Sequence, residues 1–137
     1  MAIEDFSFSS KKTSDPAKKQ ALLALQNEQD VDCLSKVLKK HRYHVLGKSH
    51  KVTEIVELLR KNRNGIFFLD IDIENLGSMD FLSKIKTNCP NFKVVIAATK
   101  MEKQEIEEAK NHGIVGFLAK PITTDAIEKL LSKPFFD

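Results

Sequence analysis

Asp70, Thr99 and Lys120 each stand directly after a short apolar run: IFFL before the first, VVIAA before the second and IVGFLA before the third. Gathered in one crevice, a carboxylate, a hydroxyl and an ammonium would hold a phosphoryl group, the carboxylate as its acceptor and the other two as ligands of its oxygens. Taken singly, the residues support nothing so specific. An Asp or Thr after a strand often caps the next helix, and a Lys before a proline is often plain surface. The chemistry therefore depends on whether the ends of these runs lie side by side.

The rest of the chain predicts that they do. Ala21 to Leu25 (ALLAL) is an apolar run of strand length, followed by Asn27, Glu28 and Asp30, which can open a helix with Val31, Leu34, Val37 and Leu38 on one face. Tyr43 to Leu46 reads as a second strand, and Val52, Ile55, Val56 and Leu59 have the spacing of another helical face. Asn64 and Gly65 break the chain before the strand Ile66 to Leu69, which runs into Asp70. A helix over Phe81 to Ile85 is entered through Leu76, Gly77 and Ser78 and stops before Pro90.

Val94 to Ala98 forms the fourth strand, and a polar helix over Glu102 to Asn111 closes at Gly113. Ile114 to Ala119 is the fifth strand, and Asp125 to Leu131 a last helix capped by Thr123 or Thr124. Strands that alternate with helices, several of them apolar on both faces, predict an α/β fold with a doubly wound parallel sheet covered on both sides. In such sheets ligands sit beyond the carboxyl ends of the strands, where strand order reverses. The residues at those ends are Gln26 and Asn27, Asp70, Thr99, and Lys120 with Pro121.

Composition narrows the class without naming a function. The 137 residues suit one domain, and the hydrophobic 42% and charged 30% are those of an ordinary globular chain. A net charge of +3, from 22 basic and 19 acidic residues scattered along the chain, builds no obvious nucleic-acid face. Cys33 and Cys89 are isolated, which argues against a disulfide framework or zinc site and for a cytoplasmic chain. No apolar run approaches the ~18 to 20 residues that span a bilayer, and no signal-peptide core opens the chain. Residues 1–19 read as a polar N-terminal arm and residues 20–137 as the domain. His41, His44 and His50 read as solvated histidines rather than metal ligands, and Phe135 and Phe136 as a cover for the last helix or a partner contact.

The strings IFFLD, VVIAAT and FLAKP, in this order and spacing, resemble the response-regulator receiver family over roughly Ala21 to Leu131. The resemblance implies a flavodoxin-like three-layer sandwich around five parallel strands. It makes Asp70 the phospho-acceptor, Thr99 the switch hydroxyl, Lys120 the cation paired with the phosphoryl group and Phe117 the switch aromatic, with Pro121 after a cis bond. It also implies a two-component signalling module rather than an enzyme. Such a module takes phosphate from a histidine kinase or phosphotransfer protein and acts on a downstream protein, with a homodimer left open and no nucleic acid or membrane engaged.

The departures from the family pattern are equally specific. Receivers normally carry two adjacent carboxylates after the first strand, which with the acceptor hold magnesium. Here those positions fall among Leu25, Gln26 and Asn27, none acidic, and Glu28 comes one or two positions late. What remains is Asp70, a backbone carbonyl from Asp72 and neutral amides, a weak magnesium site at Asp70 and Asp72 that the fold does not require. Asp72 or Glu74 would compensate only in part. Glu74 also stands where the family usually has Pro, Ser78 where it has Gly, and Lys100 where it has a small residue, long enough to cover part of the pocket. Two readings follow: a receiver still phosphorylated on Asp70, or a phosphorylation-independent pseudo-receiver that serves as a protein-binding module. A small flavodoxin-like enzyme is disfavoured, because no Gly-rich or Ser/Thr-rich phosphate loop follows the first strand.

Overall fold

The computed structural model describes residues 19–74 and 76–133. Except for Lys19, the expected N-terminal arm lies outside these residues, as do Phe135 and Phe136. In chain order the elements are β1 (Lys19–Ala24), α1 (Glu28–Lys40), β2 (Tyr43–Lys48), α2 (Val52–Lys61), β3 (Gly65–Asp70), α3 (Ser78–Asn88), β4 (Phe92–Ala98), α4 (Lys103–Asn111), β5 (Ile114–Ala119) and α5 (Thr124–Leu131). The strands pair in parallel in the order β2-β1-β3-β4-β5. The chain thus winds outward from β1 to β2, returns to β3 on the other side, and reverses direction between β1 and β3.

Local chemistry sets the ends of these elements. Asn27 caps α1, its side chain accepting from the N–H groups of Gln29 and Asp30, while Glu28 and Asp30 in the first turn and Lys39 and Lys40 in the last suit the helix dipole. Glu102 is the cap of α4 rather than its first residue, and it forms a capping box with Glu105. Thr123 caps α5 through the Ala126 N–H. The helix expected over Phe81 to Ile85 begins earlier, at Ser78, because Gly77 adopts the left-handed conformation at φ 67° and lets the turn pass straight into a helix.

Successive strand residues send their side chains to opposite faces, so the apolar runs build two cores. On one face Ala21, Leu23, Phe68, Val95 and Leu118 pack against Leu34 and Leu38 of α1 and Ile127 and Leu130 of α5. On the other, Leu22, Phe67, Leu69 and Ile96 pack against Ile55 and Leu59 of α2, Leu82 and Ile85 of α3 and Ala109 of α4. Burial on both faces explains why β1, β3 and β4 read as continuous apolar runs rather than alternating ones.

Candidate functional site

The same two-residue period positions the chemistry. Phe68, Ala97 and Leu118 all belong to the core under α1 and α5, and Asp70, Thr99 and Lys120 stand two residues beyond each of them. The three side chains therefore leave the carboxyl edge of β3, β4 and β5 on one face. Parallel pairing of Asp70 with Ala97, and a hydrogen bond from the Lys120 N–H to the Ala98 carbonyl at 2.9 Å, bring the three strand ends level.

Asp70 has no exposed surface, and its carboxylate is fully engaged. The Lys120 ammonium donates to Oδ1 at 2.9 Å and to Oδ2 at 2.8 Å. The backbone N–H of Asp72 donates to Oδ1 at 2.9 Å, and that of Gln26 reaches Oδ2 at 3.4 Å. A carboxylate removed from water needs such compensation, and here most of it comes from one cation. The bond between Lys120 and Pro121 is cis, as the resemblance implies.

Asp72 occupies the mouth of this crevice. Its Oδ2 lies 3.1 Å from the Lys120 ammonium and accepts the Thr99 backbone N–H at 3.1 Å. Partial burial works to raise the pKa of the Asp72 carboxyl, but the bonds from Thr99 and Lys120 outweigh it and hold the group below its ordinary value. For Lys120 burial favours the neutral amine, and the bonds and charges of Asp70 and Asp72 overcome this and raise its pKa. Both groups are thus held in their charged forms at neutral pH.

The other sequence candidates are placed less centrally. Gln26 and Asn27 are exposed, Gln26 meeting the site through its backbone and Asn27 spending its side chain on the α1 cap. Phe117 stands 38% exposed on β5, and Glu74 and Lys100 are exposed beside the mouth. His41, at the end of α1, bonds to Glu128 of α5 and lies outside the crevice. Among the described residues no three His, Cys, Asp or Glu side chains gather as a metal-binding group, and no helix is long and apolar enough to cross a membrane.

Asp30 is the residue that sequence reasoning missed. It is buried in the first turn of α1, and its Oδ1 accepts the Ile122 N–H at 3.0 Å, fixing the segment that follows Lys120 and Pro121. An acid in a first helical turn is usually solvated, so only its place among apolar neighbours marks it.

Comparison with known proteins agrees with this fold. The chain is 25% identical over 89 residues to the transcriptional regulatory protein CitT of Bacillus subtilis, which covers 65% of this chain but only 39% of that protein. It is 24% identical over 100 residues to the chemotaxis protein CheY of Thermotoga maritima, covering 73% of this chain and 83% of the relative. A crystal structure of a response regulator from Thermotoga maritima superposes with a TM-score of 0.71 at 18% identity, over 85% of this chain and 99% of the other, and so shares the fold. The family model for the response regulator receiver domain matches residues 21–132, nearly the whole sheet and its helices, and the chain belongs to that family, the receiver domains of two-component signalling.

Proposed function

We propose that residues 20–137 form a phospho-accepting receiver module, with Asp70 as the acceptor and a degenerate magnesium site, and that it acts in the cytoplasm through protein–protein contact rather than as an enzyme. The observation that carries this reading is the buried Asp70 carboxylate held by Lys120, at the sheet edge that Thr99 shares. A carboxylate oxygen of Asp70 would attack the phosphorus of a phosphohistidine on a kinase or phosphotransfer protein. The new O–P bond forms as the P–N bond breaks, and the imidazole leaves. Lys120 would neutralise part of the charge on the transferred group, and Thr99 would offer it a hydroxyl. Residues 1–19 would be an arm outside the module.

Receiver domains typically bind magnesium at the acceptor, and the residues here fit it poorly. Magnesium demands near-octahedral oxygen ligation. The oxygens of Asp70 already meet Lys120 and two backbone N–H groups, one oxygen of Asp72 meets Lys120 and Thr99, and no acid follows β1 until Glu28. The test is mass spectrometry after incubation with acetyl phosphate. The expected result is slow, partial gain of one phosphoryl group, abolished in Asp70→Asn. Modification that survives Asp70→Asn would sink the assignment.

The complete burial of Asp70 favours a second reading, a phosphorylation-independent protein-binding module. No gain of phosphate at any donor concentration, with partner binding unchanged in Asp70→Asn, would decide for it.

A further inference from the structure

A phosphoryl group on Asp70 would present three acceptor oxygens to the donors around it, and those donors already have an anion. The Lys120 ammonium and the Thr99 backbone N–H both converge on Oδ2 of Asp72, each at 3.1 Å. Two separate donors, one from the end of β4 and one from the end of β5, thus share a single carboxylate oxygen. We propose that Asp72 is an internal stand-in for the phosphoryl group, positioning Thr99 and Lys120 without phosphate and competing with it for them. The inference rests on reading Asp70, Thr99 and Lys120 as a phosphoryl pocket.

The local backbone makes the contact reachable. Asp72 lies two residues beyond the acceptor, and its N–H bonds back to Oδ1 of Asp70 at 2.9 Å, which curls the chain over the mouth of the crevice. The Ile73 N–H closes the same turn onto the Asp70 carbonyl at 3.2 Å. From there the Asp72 side chain spans the gap between the end of β4 and the end of β5, the two places a phosphoryl group would join. The Lys120 ammonium 3.1 Å from its Oδ2 gives this carboxylate the same cation that a phosphoryl group would need.

The stand-in differs from a phosphoryl group in charge and tether. It brings one negative charge where an acyl phosphate brings about two, and it is bound covalently to the neighbouring loop, so it is present at high effective concentration. Two consequences follow. The Thr99 segment is ordered before any modification, and an incoming phosphoryl group must displace Asp72 and its charge before it can gain the same donors.

The test is amide hydrogen exchange and nitrogen-15 NMR of the full chain, with beryllofluoride and magnesium as the phosphate mimic. In the unmodified protein the Thr99 amide should be protected without the mimic. Asp72→Ala should expose it by about tenfold or more, the loss expected for one charge-assisted hydrogen bond, while the β3 and β4 core amides stay protected. Asp72→Asn keeps an acceptor oxygen, so it should keep most of the Thr99 protection while the Lys120 ammonium signal shifts. That split separates positioning from general loosening. Unchanged Thr99 protection in Asp72→Ala overturns the proposal.

The mimic then tests the competition. Placed in a Gln26→Asp, Asn27→Asp background, Asp72→Ala should take beryllofluoride at about tenfold lower concentration than the same background with Asp72 intact, and recover its Thr99 protection. Equal uptake with and without Asp72 overturns the competition. If Asp72→Ala frees Thr99 but no background ever binds the mimic, the phosphoryl-pocket reading itself fails, and the stand-in fails with it.

Discussion

The ammonium of Lys120 bridges both carboxylate oxygens of Asp70, at 2.9 and 2.8 Å, with Asp70 wholly buried and the Lys120 side chain only 13% exposed. Removing the cation would strand a charge in the sheet edge. Lys120→Ala is expected to destabilise the domain by about 3 kcal/mol, the lower end for breaking a buried pair. The double variant Asp70→Asn, Lys120→Met should recover much of that loss, because neither half then leaves an unpaired charge. Urea unfolding of the three proteins checks this, and equal stability of Lys120→Ala and the parent would contradict the pairing.

Stability should be flat around neutral pH and fall at both extremes. The folded state holds the Lys120 pKa above its unfolded value of about 10.4, so its contribution is complete below that pH and is lost as pH rises through the folded value. Asp72 is held below its unfolded value of about 3.9, so its contribution is present above that pH and is lost as pH falls through the folded value. Unfolding midpoints across pH should lose part of the acid limb in Asp72→Asn and part of the alkaline limb in Lys120→Ala. Limbs unaltered by either change would rule these groups out as the source.

Asp30→Ala should cost about 1–3 kcal/mol, since it leaves the Ile122 N–H without its partner inside the fold. Asp30→Asn keeps an acceptor and should cost less. The order of the two variants in thermal unfolding is the test.

Gly65→Ala should cost roughly 1–3 kcal/mol. Gly65 has φ 144°, and an added Cβ would lie 2.9 Å from the backbone carbonyl oxygen of Gln20 in β1, which cannot rotate away as a side chain would. An unfolding midpoint equal to the parent's would show that the β3 entry relaxes freely.

Asn27→Asp should leave α1 intact, because Asp caps as well as Asn, whereas Asn27→Ala should cost about 1 kcal/mol. With Gln26→Asp added, magnesium binding should tighten by about tenfold, since residue 26, whose backbone already reaches Asp70, then brings an anionic oxygen. Calorimetric titration measures it. Tight magnesium binding by the unaltered chain would mean that Asp72, Glu74 or Glu28 supplies the missing charge.

The layout of the sheet was legible because its central strands carry Leu, Ile, Val and Phe on both faces, and each run ends at Gly or a polar residue: Gln26, Gly47, Asp70, Thr99 and Lys120. The carboxyl end of β2 and the start of α3 were not, since Gly47 and Lys48 carry no apolar signal and Gly77 starts the helix through its backbone alone. The Asp70–Lys120 pair was legible from strand ends plus family strings. The engagement of Asp72 was not: a loop acid has no periodicity to follow, and its partner Thr99 lies 27 residues away. Asp30 was hidden for the opposite reason, as it looks like an ordinary acid of a helix start.

The ties of α1 carry a mechanical consequence. Asp30 fastens its first turn to Ile122, just before α5, while at its far end Lys40, 3.0 Å from Glu128, and His41 fasten it to α5 itself. Two attachment points a helix length apart oppose sliding and hinging together better than either would alone, so α1 and α5 form a brace behind β1 and β3. The outer edge of β5 lies away from both attachment points, and there Phe117 faces solvent.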